Sequence, residues 1–316
     1  MTTAAPAAVT APLPEDDEEE RPTRKRRGAW KDSAAAWAML SPNLLVFGLF
    51  LLLPLLATFW LSLYSSSGFG PREFIGFENY SELFGDDTFW RATLNTGVYA
   101  LLTVPVSLVL GLGVALAINR PMRGRGLLRG IYYVPYVISG VVIAVAGRWV
   151  FNENVGVVNR LLRGAGLDGV PWQSDGVGAM ASLVLISVWT KIGFCMVVYL
   201  AGLQSIPTEY LEAAQMDGAG RWTRLRHVIV PLLKPTTVFL VVLGVIESFQ
   251  VFDIVYVLTG GGPGNATEML VTYAYAEGFD ARRQGYAATI GVVTYLLIAV
   301  LTALWWRRQK ATEADQ

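Results

Sequence analysis

Glu212, Ala213, Ala214, Asp217 and Gly218 lie in a polar stretch, residues 204–235, set between two long apolar runs. Pro207 can open a helix there, because the first position needs no amide donor, and Glu209 and Glu212 suit the positive end of its dipole. Asp217-Gly218 supplies a stop. A second short helix is expected from Gly220 to Val230, with Trp222, Leu225 and Ile229 on one face, ended by Pro231. The surface at Ala213 and Ala214 carries no long side chain to hold another body away, which suits insertion into a partner's groove. A short amphipathic loop lying on lipid headgroups has the same residue types.

A second set of candidates sits inside the apolar runs. Lys191 and Glu247 each fall near the middle of one, where an unpaired charge costs at least about 3 kcal/mol. Their runs point in opposite directions, so the two residues share a depth and either pair with each other or face a watery path. Gln250, Asp253 and Tyr256 follow Glu247 at intervals of three, which puts all four on roughly one face of the span. Planar polar groups and aromatic faces hold hydroxylated ligands, and polar packing between helices uses the same residues.

Other chemistry has little to stand on. No Gly-x-x-x-x-Gly-Lys-Ser/Thr run is present to cradle nucleotide phosphates. Cys195 is the single cysteine and His227 the single histidine, which excludes an intrachain disulfide and a cysteine-based zinc site. No nucleophile and base stand at a convincing spacing, so the chain reads as non-enzymatic.

The elements that position these residues are membrane spans. Of 316 residues 53% are hydrophobic and only 16% charged, and the apolar residues come in blocks. Six windows reach the roughly 20 residues a bilayer core requires: 38–64, 94–118, 130–151, 180–203, 236–258 and 287–306. The fold class is therefore all-α integral membrane with six transmembrane helices, in one domain from 31 to 316. With both termini cytoplasmic, 17 of the 25 Lys and Arg fall in inside segments and 6 in outside loops, as the positive-inside rule requires. Residues 204–235 then face the cytoplasm.

Residues 1–30 carry an acidic run, Glu15 to Glu20, then Arg24-Lys25-Arg26-Arg27. Such runs rarely fold, and the tail is expected to be disordered. Beside a span, the basic cluster fits anionic lipid and topology better than nucleic acid. The first apolar run is too long and too far from the N-terminus for a cleaved signal peptide and is expected to remain as an anchor. Pro54 is expected to kink it. Asn265-Ala266-Thr267 matches a glycosylation sequon, read here as coincidence.

Glu212-Ala213-Ala214, three residues, Gly218, nine residues, then Val228-Ile229-Val230-Pro231 resembles the cytoplasmic signature of membrane subunits of binding-protein-dependent ABC importers, with Val228 for Ile and Val230 for Leu. Further resemblance to the sugar-permease branch runs through Gly76-Phe77-Glu78-Asn79-Tyr80, Phe89-Trp90, Asn95-Thr96, Val134-Pro135, Trp189-Lys191-Gly193-Phe194 and Thr259-Gly260-Gly261-Gly262-Pro263, covering about 38 to 306. The resemblance implies a type I importer permease fold of the maltose and glycerol-3-phosphate kind, with 204–235 as a helix-turn-helix coupling loop. It implies coupling roles for Glu212, Ala213, Ala214, Asp217, Gly218 and Pro231. It further implies a bacterial cell membrane location and a heterodimer with a sister permease. Two cytoplasmic ATPase subunits would hold ATP and Mg, with none bound by this chain, and an extracellular solute-binding protein would deliver a sugar or polyol. The main alternative is an ion-gradient-driven secondary transporter using Lys191, Glu247 and Asp253; a receptor or scaffold is the third.

Overall fold

The computed structural model describes residues 29–68 and 70–314. The expected tail, residues 1–30, lies almost wholly outside them. The chain divides into two compact units, Met1–Pro54 and Leu55–Gln316. The first contains α1, Ala29–Phe47, and a π-helical turn, Gly48–Leu52. That wide turn comes just before Pro54, whose ring supplies no amide and crowds the preceding turn.

The second unit is built on α4 (Asp87–Ile118), α8 (Gly176–Gln204) and α12 (Lys234–Phe249). Val104, Leu108 and Ala115 of α4 pack with Met196, Tyr199 and Leu203 of α8 and with Leu240 of α12. Two glycines set the spacing. A Cβ on Gly111 would collide with Cys195, and one on Gly193 with the backbone of Tyr132, so the helices approach closely only because these positions are bare. Between α2 (Leu53–Leu61) and α3 (Glu78–Phe84) the chain makes a two-residue antiparallel ribbon, Tyr64–Ser65 against Glu73–Phe74.

Among the described residues four helices are long and apolar enough to cross a membrane, Ala36–Leu61, Asp87–Ile118, Gly176–Gln204 and Gln284–Trp305, and six spans result if each of two bent pairs counts as one. The bent pairs are Arg125–Val137 with Gly140–Val150 and Arg221–Leu232 with Lys234–Phe249; the first of them, and a separate break after Phe249, correct the expectation of continuous helices. The window 130–151 divides into α5 (Arg125–Val137) and α6 (Gly140–Val150), at 95° to each other. The window 236–258 ends as α12 at Phe249 and resumes as α13, Asp253–Leu258. Tertiary packing explains this second break: it turns Val255 and Leu258 into a cluster with Ile143, Ala144 and Leu183. It also sets Asp253 against Gly140, where the carboxylate faces the positive end of α6.

At the end of this unit away from residues 204–235, polar side chains join distant segments. Asn79 donates to the carbonyls of Ser62 and Tyr64, at 2.8 and 3.1 Å. Asn95 donates to those of Asn265 and Glu268, both at 3.0 Å. Thr267 of the sequon is fully buried, its hydroxyl 2.6 Å from the Gly262 carbonyl.

Candidate functional site

The polar stretch folds as α9, Thr208–Met216, then a turn, α10 (Arg221–Arg224), a π-helical turn (Leu225–Ile229) and α11 (Val230–Leu232). Pro207 caps α9. At its other end the Gly218 amide donates to the Gln215 carbonyl at 3.1 Å and the Ala219 amide to Ala214 at 2.9 Å, the paired bonds of a Schellman turn. Gly218 takes φ +76°, the left-handed region that favours glycine. Glu212, Ala213, Asp217 and Gly218 are exposed and Ala214 is half-buried, so α9 presents a bare, small-residue surface ending in an acidic turn.

Pro231 does not end the second helix, contrary to expectation. The Val230 amide bonds back to Leu225, five residues earlier, and this wider turn makes room for the proline ring, so the helix continues to Leu232. The bend comes at Leu233, which is 1% exposed and packs with Leu203 and Leu240; α12 leaves there at 65°. Trp222, Leu225 and Ile229 share one groove with Leu116 and Leu211, as their helical spacing predicts.

Within the bundle Lys191 Nζ stands 3.3 Å from Glu247 Oε2, an ion pair without hydrogen-bond geometry. Tyr136, from α5, stacks on Phe194 with ring centres 4.8 Å apart and lies against Glu247. Ser107 Oγ of α4 is buried without a partner beside the pair. Gln250, Asp253 and Tyr256 do not share a helix face with Glu247, because Gln250 caps α12 and Asp253 starts α13 after the break. Asp253 and Tyr256 are exposed.

Two groupings had no local signal. One is the stack of Tyr136 on Phe194, for which the only sequence hint is Phe194 three residues from Lys191. The other is Asp86, the cap of α4, whose carboxylate accepts from Thr88 N at 2.8 Å, from the Tyr286 hydroxyl at 2.7 Å and from the Tyr273 hydroxyl. Burial pushes its pKa up, but these bonds outweigh it and hold the carboxyl below its ordinary value. Beside it Arg283 bridges Glu82 at 2.5 Å and Glu277 at 3.3 Å. Among the described residues no three His, Cys, Asp or Glu side chains gather as a metal site.

Residues 107–308 match the family model described as "Binding-protein-dependent transport system inner membrane component". The trehalose/maltose transport system permease protein MalF of Thermococcus litoralis is 33% identical over 87% of this chain and 94% of its own. The sulfoquinovosyl glycerol transport system permease protein SmoG of Agrobacterium fabrum is 36% identical over 92% and 95%. A chain in the crystal structure of a bacterial alginate ABC transporter, in complex with an alginate pentasaccharide-bound periplasmic protein, superposes with a TM-score of 0.76 at 27% identity, covering 88% of this chain and 96% of that one. The motif around Glu212 and Gly218, the bent spans and these likenesses agree: the chain is a multi-pass membrane protein and belongs to the family of binding-protein-dependent transport system inner membrane components.

Proposed function

We propose that this chain forms half of the translocation pathway of an ATP-driven importer for a sugar or related polyol, and that α9 is the element a partner ATPase grips. The observation that carries the reading is the exposed face of α9, with Glu212 and Ala213 outward and a glycine-dependent turn fixing its end. Relatives named for trehalose/maltose and sulfoquinovosyl glycerol support the substrate class. A sister permease completes the pathway, and an external binding protein delivers the solute. ATP and Mg belong to two cytoplasmic ATPase subunits. The Lys and Arg bias supports a bacterial plasma membrane orientation with both termini and residues 204–235 in the cytoplasm.

The mechanism follows the connectivity. When the ATPases close on ATP, α9 moves with them. Leu233, packed against α8 and bonded to Ile229 of the π-helical turn and to Thr237 of α12, passes that motion to α12. Glu247 rides on α12 and Lys191 on α8, so relative movement of the two helices alters the ion pair and the aromatic stack beside it. Glu247, with Tyr136 and Phe194, lines the path in this reading; Gln250, Asp253 and Tyr256 mark its continuation past the helix break. Glu212 offers a carboxylate to a basic side chain of the ATPase, and Ala213, Ala214, Asp217 and Gly218 shape the contact.

Uptake into proteoliposomes tests this. Solute entry that requires internal ATP and added binding protein is expected. Uptake by the lone chain in an ion gradient would overturn the proposal.

A further inference from the structure

Phe252 and Tyr256 are four residues apart, as are Tyr275 and Phe279, so each pair falls on one face of its own helical segment. The break before α13 and the π-helical turn Ala276–Asp280 after α14 (Leu270–Tyr275) bring the two pairs together. Phe252 stacks on Tyr256 at 5.2 Å, with planes 16° apart, and Tyr275 on Phe279 at 4.8 Å and 25°. The pairs join edge to face, Tyr256 to Tyr275 at 5.2 Å and 68°. All four separations lie in the range of attractive aromatic contact. Packing leaves two of the four rings open, Tyr256 at 47% and Phe279 at 68% exposed, with Phe252 and Tyr275 half-buried.

We infer that Phe252, Tyr256, Tyr275 and Phe279 form an aromatic ladder that receives the pyranose rings of an uncharged sugar on its way to the intramembrane pair Lys191 and Glu247. This rests on the importer reading and adds where, and for which class of sugar, the chain makes contact. Aromatic faces carry partial negative charge and attract the polarised C–H face of a sugar ring, while the hydroxyls at the ring edge need polar partners. The ladder offers both, since the Tyr256 and Tyr275 rings bring their hydroxyls together at its centre. That polar centre fits a sugar better than an acyl chain. Charge argues for a neutral solute: Lys191 is paired with Glu247 and Arg283 with both Glu82 and Glu277, which leaves neither cation free to hold an anionic sugar. One end of the ladder, Phe252, lies three residues past the α12 terminus at Phe249 and five past Glu247; the other is Phe279, before the last span.

The experiment uses the assembled importer with its binding protein in proteoliposomes. Maltose and trehalose serve as neutral probes and glucuronate as the charged control. Sugar taken up per ATP hydrolysed is the readout, because a loss of fold or docking lowers both quantities together. Phe279→Leu and Tyr275→Leu are each expected to lower that ratio about three- to tenfold, the range for losing one aromatic contact, and Phe279→Tyr to restore it. An unchanged ratio in both leucine variants overturns the ladder while leaving the importer reading in place. Loss of the sister permease from the purified leucine variants also overturns it, by assigning the rings to the subunit interface. An effect that appears only in some lipid compositions overturns it in favour of a lipid contact, and preferential uptake of glucuronate overturns the neutral-sugar assignment. If the unaltered importer takes up neither the neutral probes nor glucuronate with ATP, the importer reading itself has failed and the ladder falls with it.

Discussion

Replacement of Gly218 probes the coupling loop through backbone geometry alone. At φ +76°, a residue with a Cβ enters the left-handed region at a cost of roughly 1–2 kcal/mol. A Cβ built there meets no atom within 4 Å, so no steric clash adds to that cost. The expected order is therefore Gly and Asn best, then Ala, then Val, because asparagine tolerates this conformation and a β-branched residue does not. The strain falls on the two Schellman bonds, from Gly218 to Gln215 and from Ala219 to Ala214, and frays the end of α9. If the ATPase binds only the ordered helix, Gly218→Val weakens the complex about tenfold, the equivalent of about 1.4 kcal/mol. Titrating detergent-solubilised permease with the ATPase, alongside circular dichroism to monitor the fold, gives the comparison. Equal affinity for the Val and Gly forms would refute the reasoning, as would an Asn form as weak as the Val form.

Other predictions concern the bundle and its far end. Lys191→Met and Glu247→Gln singly each leave a partly buried intramembrane charge unpaired and should cost about 3 kcal/mol, whereas the double variant should recover most of the loss; thermal melts that rank the double no better than the worse single would disprove the pairing. Gly193→Ala drives a methyl group into the backbone of Tyr132 and should cost about 1–3 kcal/mol in the same melts. Asp86 has a folded pKa below its unfolded value, so its contribution is fully present above about pH 4 and is lost as pH falls through the lower folded value. Melting temperature measured from pH 7 down to pH 3 should therefore drop less in Asp86→Asn than in the unaltered chain.

The parts of the structure that were legible in the sequence are those fixed by local chemistry. The polar interruption at 204–235, the start of α9 at Pro207 and its stop at Asp217-Gly218 follow from capping rules that need no tertiary information. The shared depth of Lys191 and Glu247 also followed from span direction, and the two side chains meet at 3.3 Å. The helix breaks were not legible. Neither Ile138-Ser139 nor Gln250-Val251-Phe252 contains a proline or glycine, and the second break arises because Val255 and Leu258 gain burial against α6 and Asp253 gains its N-terminus. Pro231 misled for the opposite reason, since a π-helical turn accommodates a ring that ordinarily ends a helix. The Asp86 network joins residues 187 and 200 positions apart, a separation over which periodicity and capping carry no signal.

The central claim is that α9 is where a separate ATPase takes hold. Cys195 is the chain's only cysteine, so Glu212→Cys in a Cys195→Ser background leaves one thiol on the face in question. Labelling with a short maleimide–benzophenone reagent, whose photoactivated end inserts into any nearby C–H bond, should join this chain to the ATPase in the assembled, transport-active complex and stop uptake. Uptake that continues with no such cross-link, when Glu212→Cys is fully reactive toward a small maleimide, would contradict the account.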